Sequence, residues 1–197
     1  MEEFHAKSPD GAVSLKSRRM MNHPSSPLQI VRATVADADV LGMLHAEGWR
    51  AAYRGLMPDA YLTAFTPEKR ATFFRRILAA TSNEHYLLLL DDTPTGMLAL
   101  GTAQDASLAG QNIGEIHALY LLPAYYGRGI GHAALDFAIA RLGAQGLGDT
   151  VLTVLSDNHR AVRFYTRHGF VPDSPEEPFE VGGVSLMERR YRLKRDK

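Results

Sequence analysis

The sequence predicts an α/β domain built on a mixed sheet, and three observations lead there. Short apolar or alternating runs recur along the chain, four other segments carry apolar residues at helical spacing, and blocks of strand and helix give way to strand–helix alternation. A length of 197 residues suits one domain with a sizeable core, and 45% hydrophobic with 22% charged residues is the balance of a globular chain.

The elements follow in order from Leu28. "LQIVRAT" alternates as a strand does. Asp37 to Tyr53 places Val40, Leu41, Leu44, Trp49 and Ala52 at helical spacing before Gly55 and Pro58 break it. "PEKRATFFRRILAA" reads as a helix with Pro67 in its first turn, where a missing N–H costs nothing. "HYLLLLDD" and "TGMLALGTA" flank a turn at Asp91 to Pro94 and read as a hairpin, and "GEIHALYLL" is a fourth strand. The next helix sets Ala134, Phe137, Ala138 and Leu142 on one face. "DTVLTVL" is a fifth strand, Asn158 to His168 a short helix, and "GFVPD" with "VSLMERRYRL" completes the sheet.

Residues 1–27 are polar, contain Pro24 and Pro27 and show no period, so they read as a disordered tail before a domain spanning 28–197. Met20 and Met21 near the end of this tail leave a later start open. Lys plus Arg equals Asp plus Glu at 22 each, which gives no electrostatic reason to expect nucleic acid or a membrane surface. The chain has no cysteine, which excludes disulfides, thiol nucleophiles and thiolate metal sites, and which suits the expected cytoplasmic location. The histidines show no metal-ligand spacing, so no metal is expected. A homodimer is left open.

Chemistry concentrates in "LLPAYYGRGIGHAALDFAIARL", residues 121–142. Glycines at the mouth of a helix let an anion approach backbone N–H groups at the positive end of the dipole. A Walker loop is excluded, because His132 and Ala133 follow Gly131 where Lys and Ser or Thr are required. Gly129, Gly131 and Ala134 match a dinucleotide fingerprint, and Asp149 follows Gly129 by 20 residues. That fingerprint wants its first glycine directly after the strand, whereas Pro123 to Arg128 intervene, and Asp149 precedes its strand instead of ending it.

A second stretch, "VLSDNHRAVRFYTRHGF", runs from Val154 to Phe170. Together the two resemble the GNAT superfamily of N-acetyltransferases over residues 28–193. Its members carry Q/R-x-x-G-x-G/A between the fourth strand and a helix, here Tyr126 to Gly131, and an Asn opening a later helix with a Tyr seven residues on, here Asn158 and Tyr165, before Gly169-Phe170. Tyr126 departs from the motif, which has Gln or Arg there. The resemblance implies a mostly antiparallel central sheet flanked by helices. It implies that the N–H groups of Gly127, Arg128, Gly129, Ile130, Gly131 and His132 hold the pyrophosphate of acetyl-CoA. The backbone of Leu119, Tyr120 and Leu121 would pair with the pantetheine arm, Asn158 would contact that arm, and Tyr165 would protonate the leaving thiolate. Asn158 and Tyr165 are nearly two helical turns apart and so share a face.

Acetyl transfer needs a neutral amine, and deprotonating a lysine-like amine at pH 7 costs about 4–5 kcal/mol. Glu115 and His117 share a face of the fourth strand. Glu115 lies four residues before Leu119, where some members of the superfamily keep a glutamate base, and it is the first candidate; His117 is the second. Other members use an acid five residues before the Asn, but Thr153 stands there and cannot serve. An acceptor that is already neutral would need no base. Trp49 and Tyr53, one helical turn apart, are candidates to line the acceptor pocket, although ordinary core packing would explain them equally. The expected function is transfer of an acetyl group from acetyl-CoA to a small-molecule or peptide amine, by direct attack in a ternary complex. Its rival is a noncatalytic acyl-CoA sensor on the same fold.

Overall fold

The computed structural model of the chain describes residues 27–80 and 82–195. The expected tail, residues 1–27, lies outside them apart from Pro27.

Strands β1 (Gln29–Arg32), β2 (Glu84–Leu90), β3 (Thr93–Thr102), β4 (Gly114–Leu121), β5 (Thr150–Leu155), β6 (Val171–Pro172), β7 (Glu177–Val181) and β8 (Val184–Leu193) form one sheet. Its order is β1-β2-β3-β4-β5-β8-β6, with β7 also paired to β8, and every pairing is antiparallel except β4 with β5. The expected β2–β3 hairpin turns at Asp91 and Asp92, whose φ values of 50° and 57° suit the sharply twisted two-residue turn.

Helices α1 (Ala38–Tyr53), α2 (Asp59–Ala64) and α3 (Pro67–Ala80) cover one face of the sheet, where Leu41, Leu44 and Phe74 pack on Leu87, Met97 and Ala99. A short 3-10 turn at Val35–Asp37 leads into α1, and Asp37 closes it by accepting the Thr34 backbone N–H at 2.8 Å. Helix α4 (Ile130–Ala144) covers the other face and buries Ile130, Ala134, Leu135, Ala138 and Leu142 against Leu98, Ile116 and Leu152. Phe137, expected on the buried stripe, is only half-buried and meets the Tyr86 ring edge-on at 4.9 Å; Leu135 takes the central place. Helix α5 (His159–Arg167) follows β5. No helix among the described residues is long and apolar enough to cross a membrane.

Beneath α4 lies Glu84, 4% exposed and bonded by Arg141 at 2.6 and 2.7 Å, by Arg32 at 3.1 Å and by the Tyr86 hydroxyl. The Arg141 bonds, aided by Tyr86 and Arg32, overcome the cost of burial and hold its carboxyl down to about 2.

Two features of β4 prepare the site. Ala99 of β3 faces Ala118 while Leu100 faces Ile116, so His117 is the extra residue of a bulge. The parallel contact with β5 is limited to Gly114 with Thr150 and Glu115 with Val151.

Candidate active site

Beyond Glu115, β4 keeps β3 on one side and, among the described residues, has no strand partner on the other. Backbone donors and acceptors therefore face the gap between β4 and β5, which is an opening for an extended ligand. A cavity of about 520 Å³ fills this gap. Leu119, Tyr120 and Leu121 line it from β4, and Leu152, Thr153 and Val154 from β5.

One end of the cavity is made of backbone. Gly127 and Gly129 have φ of 72° and 79°, conformations that other residues adopt only with strain, and Gly129 is the N-cap of α4. A side chain at either position would meet no atom within 4 Å, so the backbone lies open to a ligand. Gly127, Gly129, Ile130, Gly131 and His132 line this end. Arg128 does not; its guanidinium lies 5.2 Å from the centre of the Tyr125 ring. His132 Nδ1 is 2.7 Å from His168 Nε2, and the other nitrogen of His168 meets the Phe164 carbonyl at 2.8 Å.

Helix α5 supplies the side wall. Asn158 is its N-cap and accepts the Ala161 N–H at 3.1 Å through its side-chain oxygen. Asn158 and Tyr165 both line the cavity, as their spacing requires. Burial, and then the neighbouring Tyr53 hydroxyl, push the Tyr165 pKa above its ordinary value, so the phenol keeps its proton at neutral pH.

The other end is made of side chains. Gly48 of α1 sits against Tyr120: a Cβ there would lie 2.6 Å from that of Tyr120, so glycine lets α1 approach β4. Tyr53 lines the cavity, and its hydroxyl is 3.5 Å from that of Tyr120. Trp49 does not reach the cavity. It stacks on Phe65 at 4.9 Å and on His45 at 5.8 Å, within the packing of α1. Burial, Arg70 and His85 hold that histidine down to about 3, so it stays neutral.

His117 lines the cavity and Glu115 does not. Glu115 Oε1 lies 3.5 Å from His117 Nδ1, and Oε2 accepts the Gln104 N–H at 2.8 Å. Burial raises the Glu115 pKa, but these two bonds outweigh it and the carboxyl is held below its ordinary value. His117 Nε2 is enclosed and has no hydrogen-bond partner among the described residues. Thr153 also borders a small polar hollow of about 50 Å³ formed with Asp105, Ser174, Glu177, Glu188 and Arg190. Burial, then Glu177, raises the Glu188 pKa. Among the described residues no group of three or more His, Cys, Asp or Glu could hold a metal ion.

The cavity thus gathers most of the residues expected from the sequence and leaves out Glu115, Arg128 and Trp49. Sequence reasoning missed Tyr126, Thr153, Arg160 and Phe164 as lining residues. Arg160 carried a signal, since it lies two residues past Asn158 on the helix that faces the cavity.

This arrangement has relatives. A spermidine N(1)-acetyltransferase of Thermoplasma acidophilum is 25% identical over 173 residues, 83% of this chain and 98% of that protein. An uncharacterized N-acetyltransferase of Methanocaldococcus jannaschii is 29% identical over 140 residues, 71% of this chain, which spans only 58% of that relative's length. Among solved structures, the PaiA N-acetyltransferase of Thermoplasma acidophilum in complex with coenzyme A shares the fold, with a TM-score of 0.63 and 22% identity over 84% of this chain and 99% of that one. The Acetyltransferase (GNAT) family model matches residues 49–170, more than half of the 197 residues, and the chain belongs to that family.

Proposed function

We propose that this chain transfers the acetyl group of acetyl-CoA to a small amine by direct attack within a ternary complex. The observation that carries the reading is the cavity itself. It joins an anion-binding helix mouth, an unpaired strand edge and a protonated tyrosine in one continuous space. The phosphates of the donor lie against the N–H groups of residues 127–132, and the pantetheine arm runs along Leu119 to Leu121 as an added strand. The PaiA N-acetyltransferase, which shares the fold, was solved in complex with coenzyme A, and this supports coenzyme A as the carrier of the donated group.

The acceptor enters from the side of Tyr53 and Thr153. His117, which borders the cavity, takes the ammonium proton, and the Glu115 carboxylate, 3.5 Å from Nδ1, steadies the imidazolium. This order, with His117 as base and Glu115 behind it, reverses the ranking drawn from spacing alone, because His117 borders the cavity and Glu115 does not. The neutral amine attacks the thioester carbonyl, a C–N bond forms, the C–S bond breaks, Tyr165 gives its proton to the departing sulfur, and the surplus proton on the new amide nitrogen is lost to restore the phenol. The relative named for spermidine makes polyamines the first acceptors to try.

The test is thioester turnover, read as released thiol, with a panel of amines including spermidine. We expect acetylated amine and free coenzyme A in equal amounts. Binding of acetyl-CoA with no thiol release from any amine would favour the sensor instead. Stabilisation by NAD equal to that by acetyl-CoA would overturn the assignment of the donor site.

A further inference from the structure

Among the described residues no Asp or Glu lines the cavity, and Arg160 is the one fully charged residue that does. It stands in the first turn of α5, where the helix dipole disfavours a cation. It is exposed and makes no hydrogen bond or ion pair among the described residues; its contact is with an aromatic ring. The guanidinium carbon lies 3.5 Å from the centre of the Tyr126 ring, which also lines the cavity. The N-caps of two helices, Gly129 of α4 and Asn158 of α5, border the same space. Two positive helix ends and a cation converge with no carboxylate among the described lining residues, an arrangement that an anionic ligand stabilises. Tyr126 also occupies the motif position where a Gln or Arg would put a polar group directly on the loop.

We infer that Tyr126 presents Arg160 to the cavity as a phosphate-binding arm, so that a phosphate in the nucleotide half of coenzyme A is its ligand. Tyr126 is a positioning residue. Its ring face holds the guanidinium plane and leaves the N–H donors at the edge free for phosphate oxygens. The cation reaches the cavity from α5, and the loop supplies the aromatic platform beneath it. This inference rests on the proposed use of acetyl-CoA.

The test is calorimetric titration of the full chain with coenzyme A, 3′-dephospho-coenzyme A and S-acetylpantetheine. Arg160→Met is expected to weaken coenzyme A roughly 10- to 100-fold, as loss of a charge-assisted bond does, and to leave S-acetylpantetheine unchanged. If the partner is the 3′-phosphate, the variant and the parent bind dephospho-coenzyme A equally; if it is the pyrophosphate, the loss persists. Tyr126→Leu should cost roughly 2- to 5-fold and Tyr126→Phe almost nothing. In the double variant Tyr126→Leu with Arg160→Met, the loss should match that of Arg160→Met alone, because Tyr126 acts through the arginine. Additive losses would overturn the positioning role, and an equal loss for S-acetylpantetheine would overturn the phosphate contact. A parent chain that does not bind coenzyme A would bring down the proposed function as well. A parent that binds, with Arg160→Met binding as tightly, overturns this inference alone.

Discussion

The two ends of the cavity are built by different means. At the α4 mouth, Gly127 and Gly129, with positive φ and an open flank, expose the backbone, and the six motif positions from Tyr126 to Gly131 are contiguous in sequence. At the other end, α1, β4, β5 and α5 each contribute several lining residues from distant parts of the sequence. A backbone site tolerates exchange of side chains that do not demand φ, whereas a site of side chains fails with the loss of one proton or one ring. Substitutions at the side-chain end should therefore act on kcat, and those at the backbone end on donor affinity.

Tyr165→Phe should have the largest effect. It removes one proton and keeps the ring, and we expect kcat to fall ~10²- to 10⁴-fold with acetyl-CoA affinity nearly constant. Activity that persists unchanged would make Tyr165 a packing residue, and the contrast between the two ends would weaken.

His117→Gln comes next, with a loss of at least ~10² in kcat, and Glu115→Gln should cost less, since it acts through His117. In the parent, kcat/KM should rise with pH as the base loses its proton. An acceptor amine with a pKa near 7 should rescue His117→Gln. Greater damage in Glu115→Gln, rescued by that same acceptor, would return the role of base to Glu115.

Glu84→Gln tests whether loss of stability alone can imitate either effect. The folded pKa of Glu84, about 2, lies below its ordinary 4.5, so its stabilisation is complete above the ordinary value and is lost as pH falls through the folded one. The shift corresponds to roughly 3 kcal/mol for this buried group. Denaturant unfolding should show the parent losing stability on acidification through that window and the variant showing a flatter profile. Donor affinity at neutral pH should not change.

Gly129→Val forces a β-branched residue to a φ of 79°, a strain of roughly 1–3 kcal/mol, and puts carbon where a phosphate must approach. We expect the thermal shift produced by acetyl-CoA to be lost. A full shift in this variant would show that the α4 mouth does not hold the donor.

The smallest effect should come from Trp49→Phe. Trp49 packs on Phe65 and His45 and not on the cavity, so KM for the acceptor should stay within about twofold while Tm drops by a few degrees. A large rise in KM would return Trp49 to the acceptor pocket.

The same contrast explains what the sequence disclosed. The α4 mouth was legible because glycine spacing, strand end and helix start are all local, and Asn158 was legible because an N-cap is a local event. Helix α2 and strand β7 were not. α2 has six residues and opens on Pro58, which reads as a breaker, and β7 carries Pro178 and owes its place to pairing with β8. Trp49 was ambiguous because periodicity shows that a residue faces inward without showing whether core or cavity lies there. Glu115 and His117 meet at 3.5 Å, in keeping with a shared face, but which of them borders the cavity is set by tertiary packing that spacing does not show.

That limited contact between β4 and β5 has a mechanical meaning. The sheet is in effect two half-sheets, β1–β4 and β5–β8, stitched by two residue pairs at one end like a barely started zipper. A ligand lying along the open seam would act as a ninth strand and a cross-brace. Those amides of residues 116–121 that face the seam, and not β3, would then exchange slowly only while it is bound, and each turnover would loosen the brace and fit it again.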